Sequence, residues 1–219
     1  MSFIDKTNIL IKKRNNDLYY FNLDKDIVFT KISNESNTLV PKKLFDGDYS
    51  FVDIWLDTNE KDNIYGVIND KKGKILNLNI EEDNINKHTM IKYDYKNFII
   101  KFPYTKHISN IKHTVYYSIN KSVPLLANLI HLYEDDNICV KNTIDFIDYN
   151  ILSNFVVAYS NNKPIIFYFK IVDQFEELFV STFDLNSHSW SKPIKITKSN
   201  KNKIYLSVLQ DENNNYHIV

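Results

Sequence analysis

The sequence predicts an all-β chain, a β-propeller-like array of four-stranded antiparallel blades about four and a half units long. Three observations predict it. Short apolar and aromatic runs alternate with Asn/Asp-rich turn clusters along the whole chain, which is how strands joined by tight turns are written in a sequence. No stretch holds apolar residues at helical spacing over the ~11 residues that mark an amphipathic helix. The first strands of successive units begin near Asn8, Phe51, Phe98, Asn154 and Ile204, a period of roughly 45 to 55 residues, where propeller blades fall. A β-sandwich or two small β domains is the structural alternative.

Taken in order, the first unit (residues 8–47) holds the runs Asn8–Lys12, Leu18–Leu23, Ile27–Ile32 and Leu39–Phe45. The second (48–94) holds Phe51–Leu56, Ile64–Ile68, Lys74–Ile80 and Thr89–Tyr93, and its Asn69–Gly73 connection has the polar, Gly-terminated chemistry of a hairpin loop. The third (95–148) holds Phe98–Phe102, Thr114–Ile119, Leu125–Tyr133 and Ile138–Ile147. Leu125–Leu132 has a helical look, and its place in the repeat makes it a strand. The fourth (149–199) holds Asn154–Tyr159, Pro164–Phe169, Leu178–Phe183 and Trp190 with Pro193–Thr197. A partial fifth (200–219) has Ile204–Leu209 and Tyr216–Val219.

A second register supports the first. A polar turn separates the first and second strands of every unit: Arg14–Asp17, Asp57–Asn63, Thr105–Lys112, Ser160–Lys163 and Gln210–Asn215. Within the second strands Tyr19, Tyr65, His113 and His217 fall at matching places, with Ile165 in the fourth unit. With a first and a second strand only, the fifth unit presents an open edge, and unpaired N–H and C=O groups on an edge invite another chain. The expectation is a chain that is the N-terminal part of a longer propeller or one that self-associates, with Ser2–Thr7 available as one closing strand.

Composition narrows the partners. The 27 basic and 27 acidic residues cancel and are interspersed, so no basic footprint marks the chain for nucleic acid or an anionic membrane. No run approaches the ~18 apolar residues of a membrane span, and the N-terminus lacks the apolar core of a secretion signal. The reading is a cytoplasmic chain. Its one cysteine, Cys139, excludes an intrachain disulfide. Flanked by Ile138 and Val140, it is expected to be buried.

The chemistry-bearing residues are few. Asp53 and Trp55, with Asp57 continuing their strand face, form the most suggestive carboxylate group, the type of pair that glycosidases place around a scissile bond. A channel-facing polar row or a turn cap explains them as well and is the preferred reading. Asp-Tyr pairs recur where one unit hands over to the next: Asp48-Tyr49, Asp94-Tyr95 and Asp148-Tyr149. Asp suits such a turn because its carboxylate bonds backbone N–H groups, and Tyr packs between units. Gathered on one face, the same residues offer carboxylates and aromatic rings to a sugar or a peptide. The six histidines show no zinc-ligand spacing, and no P-loop, GxGxxG, GxSxG or CxxC occurs, so neither a metal nor a cofactor is expected.

The chain resembles the sialidase-like and lectin-like β-propellers, and the propeller repeats of clostridial proteins in which an Asn/Asp-rich turn precedes an "IH-V-Y" strand. Asn110–Tyr117 (NIKHTVYY) and Asn215–Val219 (NYHIV) carry the likeness. Ser181, Asp184 and Trp190 resemble the Asp-box turn of sialidase blades, without its glycine. Sialidases hold the substrate carboxylate with three arginines, because guanidinium groups pair with it in bidentate fashion. This chain has only Arg14, which disfavours that mechanism. The expectation is therefore a non-enzymatic interaction scaffold binding a protein partner through a loop face, with a carbohydrate-binding propeller as the alternative and a glycoside hydrolase third.

Overall fold

The computed structural model describes residues 2–4, 8–32, 41–81, 84–108, 110–148, 154–199, 201, 203, 205–213 and 215–219. Among them there is no helix. The first sheet runs β1 (Ser2–Ile4), β2 (Asn8–Lys12), β3 (Leu18–Asn22), β4 (Asp26–Ile32) and β5 (Lys42–Asp46) in chain order, and the second β6 (Ile54–Thr58), β7 (Ile64–Asn69), β8 (Lys74–Glu81) and β9 (Asn84–Lys92). The third is β10 (Phe98–Ile108), β11 (Ile111–Asn120), β12 (Leu126–Glu134) and β13 (Cys139–Asp148). In the fourth, β14 (Val156–Ser160), β15 (Lys163–Val172) and β16 (Phe175–Asp184) are followed by β17 (Ser189–Trp190) and β18 (Ile194–Lys195), both paired with β16. A two-stranded hairpin, β19 (Val208–Gln210) and β20 (Tyr216–Ile218), comes last. These antiparallel meanders are the blades expected from the sequence. The chain divides into two compact units, Met1–Lys96 with Ile100–Thr105, and Asn97–Ile99 with Lys106–Val219.

Turn chemistry explains why the strands stop where they do. Four loops share one five-residue form, closed by N–H to C=O bonds from Lys13 to Asp17, Asn59 to Asn63, Asp70 to Lys74 and Asp211 to Asn215 at 2.9–3.0 Å. In the first three the fourth residue takes a left-handed conformation, with φ of 68° at Asn16, 63° at Asp62 and 100° at Gly73, which Asn, Asp and Gly adopt at least cost. In three of these loops the first side chain also accepts two backbone N–H groups: Asn59 from Lys61 and Asn63, Asp70 from Lys72 and Lys74, Asp211 from Asn213 and Asn215. The Asn/Asp richness of the sequence is thus a turn code. The tighter hairpins of the fourth sheet use left-handed pairs instead, Asn161-Asn162 and Asp173-Gln174, as two-residue turns with a right-handed twist require.

Burial follows position within each sheet. β2 and β3 alternate in and out, while His113–Tyr117 of β11 and Gly66–Asn69 of β7 are buried without interruption, as strands covered on both faces are. β9, last in its sheet, is almost wholly solvated. In the first unit Ile9, Ile11, Tyr19, Phe21 and Phe29 pack with Ile54, Leu56, Ile64, Ile68, Leu78 and Ile80 in one core. Each large side chain fully buried there contributes about 1.5–3 kcal/mol. In the second unit Phe167, Phe169 and Leu178 gather Leu206 and the inner faces of Val208, Tyr216 and Ile218, which seats the terminal hairpin on the fourth sheet.

Three expectations change. The N-terminal strand β1 pairs with β2, Ser2 opposite Ile11, so Ser2–Ile4 extends the first sheet and closes no other. Of Leu39–Phe45, residues 39 and 40 lie outside the described residues, and the strand begins at Lys42. Cys139 is exposed. It opens β13 opposite Glu134, on the solvated side of a strand whose burial alternates, and Ile138 beside it is itself exposed.

Candidate functional site

The connection from the first sheet to the second carries the most concentrated side-chain chemistry of the first unit. Gly47, with φ of 116°, donates its N–H to Lys25 O and Asp26 Oδ1, each at 3.0 Å, and turns the chain out of β5. Asp48 and Tyr49 follow, and Phe51–Asp53 form a turn that leads into β6. Asp53 lies in this turn and not on the strand, so the shared face expected of Asp53 and Trp55 does not form.

Asp53 is fully buried and heavily engaged. Its Oδ2 accepts the Ser50 N–H and Oγ–H, each at 3.1 Å, and faces Lys71 Nζ at 2.9 Å, while Oδ1 faces Lys101 Nζ at 3.4 Å. Lys71 also donates to the Asp48 carbonyl and lies 5.2 Å from the centre of the Tyr49 ring. Asn69 at the end of β7 donates its backbone N–H to Asp53 O at 2.8 Å and its side-chain amide to Ile100 O at 3.0 Å, and accepts the Tyr93 hydroxyl at 2.6 Å. Burial, then the Asp70 carboxylate, pushes Tyr93 up to about 12. With its oxygens committed to two lysines and to Ser50, the Asp53 carboxylate is a structural anchor. Trp55 sits apart from it, edge-on to Tyr65 at 5.5 Å and to Tyr104 at 4.7 Å.

Tyr49 has a second neighbourhood. It lines a cleft of about 260 Å³ with Leu44, Phe45 and Asp46 from β5, Asp70 and Lys72 from the β7–β8 turn, and Leu76 from β8. Its ring meets Phe45 at 6.1 Å and 58°. The Lys87 ammonium lies 4.2 Å from the Phe45 centre and donates to the Leu44 carbonyl, which fixes that wall. Burial and the carboxylates of Asp70, Asp53 and Asp46 push the Tyr49 hydroxyl up, so at neutral pH it is an uncharged phenol able both to donate and to accept. No hydrogen-bond partner for it occurs among the described residues.

The second Asp-Tyr pair meets the same β7–β8 turn from its other side. Asp94 caps the Lys96 N–H at 3.0 Å, and the Tyr95 ring covers Gly73, where an added Cβ would come within 3.1 Å of it. Asp48, Tyr49, Asp53 and Tyr95 therefore gather around Asn69–Lys74. Asp148 closes β13 in the second unit, opposite Leu126, and Tyr149 lies outside the described residues. Sequence reasoning missed Lys71, Lys72 and Lys101, which belong to the site through contacts 20 to 50 positions away; only the Asn69–Gly73 hairpin signal pointed near them. Among the described residues no three His, Cys, Asp or Glu side chains are grouped to hold a metal ion, and no helix is long and apolar enough to cross a membrane.

No protein-family model matches the chain, and no curated protein matches it. Solved structures do. A bifunctional GH43-CE protein of Bacteroides eggerthii is matched at a TM-score of 0.47 and 8% identity, over 90% of this chain and 25% of that one. A polysaccharide lyase, the PL25 ulvan lyase, is matched at a TM-score of 0.53 and 12% identity over 92% of this chain, which spans 57% of that protein's length. The α-L-arabinanase of Cellvibrio cellulosa is matched at 0.35 and 10%. At these identities the likeness is one of fold, an all-β, propeller-like architecture. It corrects one expectation: a fold shared with a polysaccharide lyase gives no ground for reading the chain as non-enzymatic, and the non-catalytic scaffold is withdrawn. No tie to clostridial repeats or to sialidases accompanies the likeness.

Proposed function

We propose that this chain acts on carbohydrate, holding a sugar residue in the Tyr49 cleft. The observation that carries the reading is the half-buried Tyr49 phenol, unpartnered among the described residues and set beside Phe45 between Asp46, Asp70 and Lys72. Aromatic faces take the C–H side of a sugar ring, and carboxylate, ammonium and phenol groups take its hydroxyls. A volume of about 260 Å³ is just under the ~300–1,000 Å³ of drug-sized pockets, which suits one residue of a glycan. The shared fold of the polysaccharide lyase points to the same substrate class.

Calorimetry against a panel of neutral and acidic polysaccharides tests it. Tyr49→Phe removes one hydrogen bond and should weaken binding about 5- to 10-fold, roughly 1–1.4 kcal/mol, with Tyr49→Ala weakening it further. Unchanged affinity in Tyr49→Ala for a glycan that the parent binds would eliminate the cleft. Release of reducing ends in the same incubations reports cleavage, and its loss in Tyr49→Ala would tie the chemistry to this place.

A second reading concerns a partner, and exposed Tyr205, Leu209 and Val219 around the terminal hairpin favour it. β19 and β20 form a sheet of two strands, and the hairpin pairs with a second chain of the same kind through its edge. Light scattering should give a mass that rises with concentration and falls on Leu209→Lys. A concentration-independent monomer would end this reading.

A further inference from the structure

Two histidines that the carbohydrate reading leaves unused lie together in the second unit. His113 on β11 is opposite Tyr133, and His131 on β12 is opposite Val115, so the two are diagonal neighbours on one face of the third sheet. Both are buried, at 1% and 0% exposure. Their rings stack 5.3 Å apart at 13°, with His113 Nδ1 and His131 Nε2 3.1 Å apart. The fourth sheet supplies the rest of the enclosure. Phe183 of β16 lies edge-on to both rings at 5.9 and 4.7 Å, Trp190 of β17 is perpendicular to His131 at 5.2 Å, and Tyr159 of β14 meets His113 at 6.1 Å.

The hydrogen bonding of this pair is half complete. One imidazole donates to the other, and His113 Nε2 and His131 Nδ1 have no partner among the described residues, nor does Trp190 Nε1. A neutral pair tolerates this, since each orphan atom costs about 1–3 kcal/mol inside an aromatic wall. An imidazolium does not, because it carries two N–H donors and a charge, and an unpaired buried charge costs several kcal/mol. Adding a proton to the accepting nitrogen also removes the acceptor that joins the two rings.

The groups facing the pair supply no compensating charge. From β10 comes His107, from β12 Tyr133, from β14 Tyr159 with Lys106 5.9 Å from its ring, and from the β16–β17 turn His188, stacked on Tyr133 at 4.6 Å. The Asp135 carboxylate accepts the Tyr133 hydroxyl at 3.1 Å and the N–H groups of Asn137 and Ile138. Burial, and then His107, holds His113 down at about 4, and burial, and then His113, holds His131 at about 3, against 6.5 for the free side chain.

We infer that the His113–His131 pair is an acid-sensitive lock between the third and fourth sheets, closed while both imidazoles are neutral and opened when the pair takes up a proton. A basic group held below its free value binds more protons in the opened state. The stability it confers is complete above about pH 6.5 and is lost as pH falls from there towards 4 and 3. Beside the pair the sheets meet through these aromatic faces, with Lys106 over the Tyr159 ring and the Asn142 amide donating to the His188 carbonyl at 3.2 Å, and none of these contacts offers an anion to a charge buried there.

Trp190 reports the contact in a Trp55→Phe background, by fluorescence, and near-ultraviolet circular dichroism reports it independently. Between pH 7 and 4 the Trp190 signal should shift to that of a solvated indole and return when pH is restored, and the double variant His113→Gln, His131→Gln should flatten the profile. An unchanged Trp190 signal down to pH 4, or the same transition in the double variant, overturns the lock. If the double variant does not fold, an NMR titration of the parent decides: both ring signals titrating near 6.5 without any change at Trp190 overturns it, and rings that stay neutral until Trp190 moves support it.

Discussion

Asp53→Ala should cost the first unit about 3–5 kcal/mol, because breaking a buried ion pair by removing one partner leaves the other uncompensated. Asp53 is wholly buried and bonds Ser50, Lys71 and Lys101. Its backbone is tied in as well, with its N–H donated to Ser50 O and its carbonyl accepting the Asn69 N–H. One side chain therefore fastens the inter-sheet turn, the β7–β8 hairpin and the Ile100–Thr105 segment. Lys71 keeps an exposed flank and relaxes into water once released, whereas Lys101 is three-quarters covered, at 25% side-chain exposure, and loses its only anionic neighbour among the described residues. Urea unfolding should show a lower midpoint for Asp53→Ala and a smaller loss for Asp53→Asn, which keeps the Ser50 bonds. A midpoint shift under about 1 kcal/mol in Asp53→Ala would contradict the anchoring role, and so would an Asn variant weaker than the Ala one.

The same residue marks where sequence reading stops. Strands and turns were legible because they are local: the left-handed Asn16, Asp62 and Gly73 and the side-chain caps of Asn59, Asp70 and Asp211 lie within a few residues of the bonds they make. The four-stranded blades follow from that code. Asp53 was read as a strand residue presenting its carboxylate, and the structure turns it inward, since alternation along β6 begins only at Ile54. Lys71 and Lys101 looked like solvated charges, and only the fold brings them to Asp53. Tyr49 was legible as a recurring Asp-Tyr position, but its cleft is walled by Phe45 and Leu76 from two different sheets. The His113 register was also visible, whereas its partner His131 is not repeat-equivalent and meets it through strand pairing alone.

Gly66→Ala is expected to damage the second sheet nearly as much, and for a different reason. Gly66 stands in the middle of β7 opposite Leu56, in extended conformation, and an added Cβ would lie 2.1 Å from the Trp55 carbonyl oxygen, 2.7 Å from the Leu56 side chain and 3.0 Å from its Cα. A flexible side chain moves aside for a methyl group; a ladder carbonyl does so only by breaking the pairing of β6 with β7. Retreat is also blocked behind it. Trp55 is held edge-on by Tyr65 and Tyr104, and Leu56 is buried in the core with Ile54, Ile64 and Leu78. Overpacking alone costs about 1–3 kcal/mol, and losing one or two ladder hydrogen bonds adds about 1 kcal/mol each, so a total of roughly 3–5 kcal/mol is expected. A glycine inside an apolar strand ordinarily weakens it, and here the close backbone approach is what makes it necessary. Amide exchange should accelerate at Ile54, Leu56 and Val67 in Gly66→Ala before it does in β3 or β4. Protection equal to that of the parent across β6 and β7 would mean that the strands yield to the methyl group, and that Gly66 is not required there.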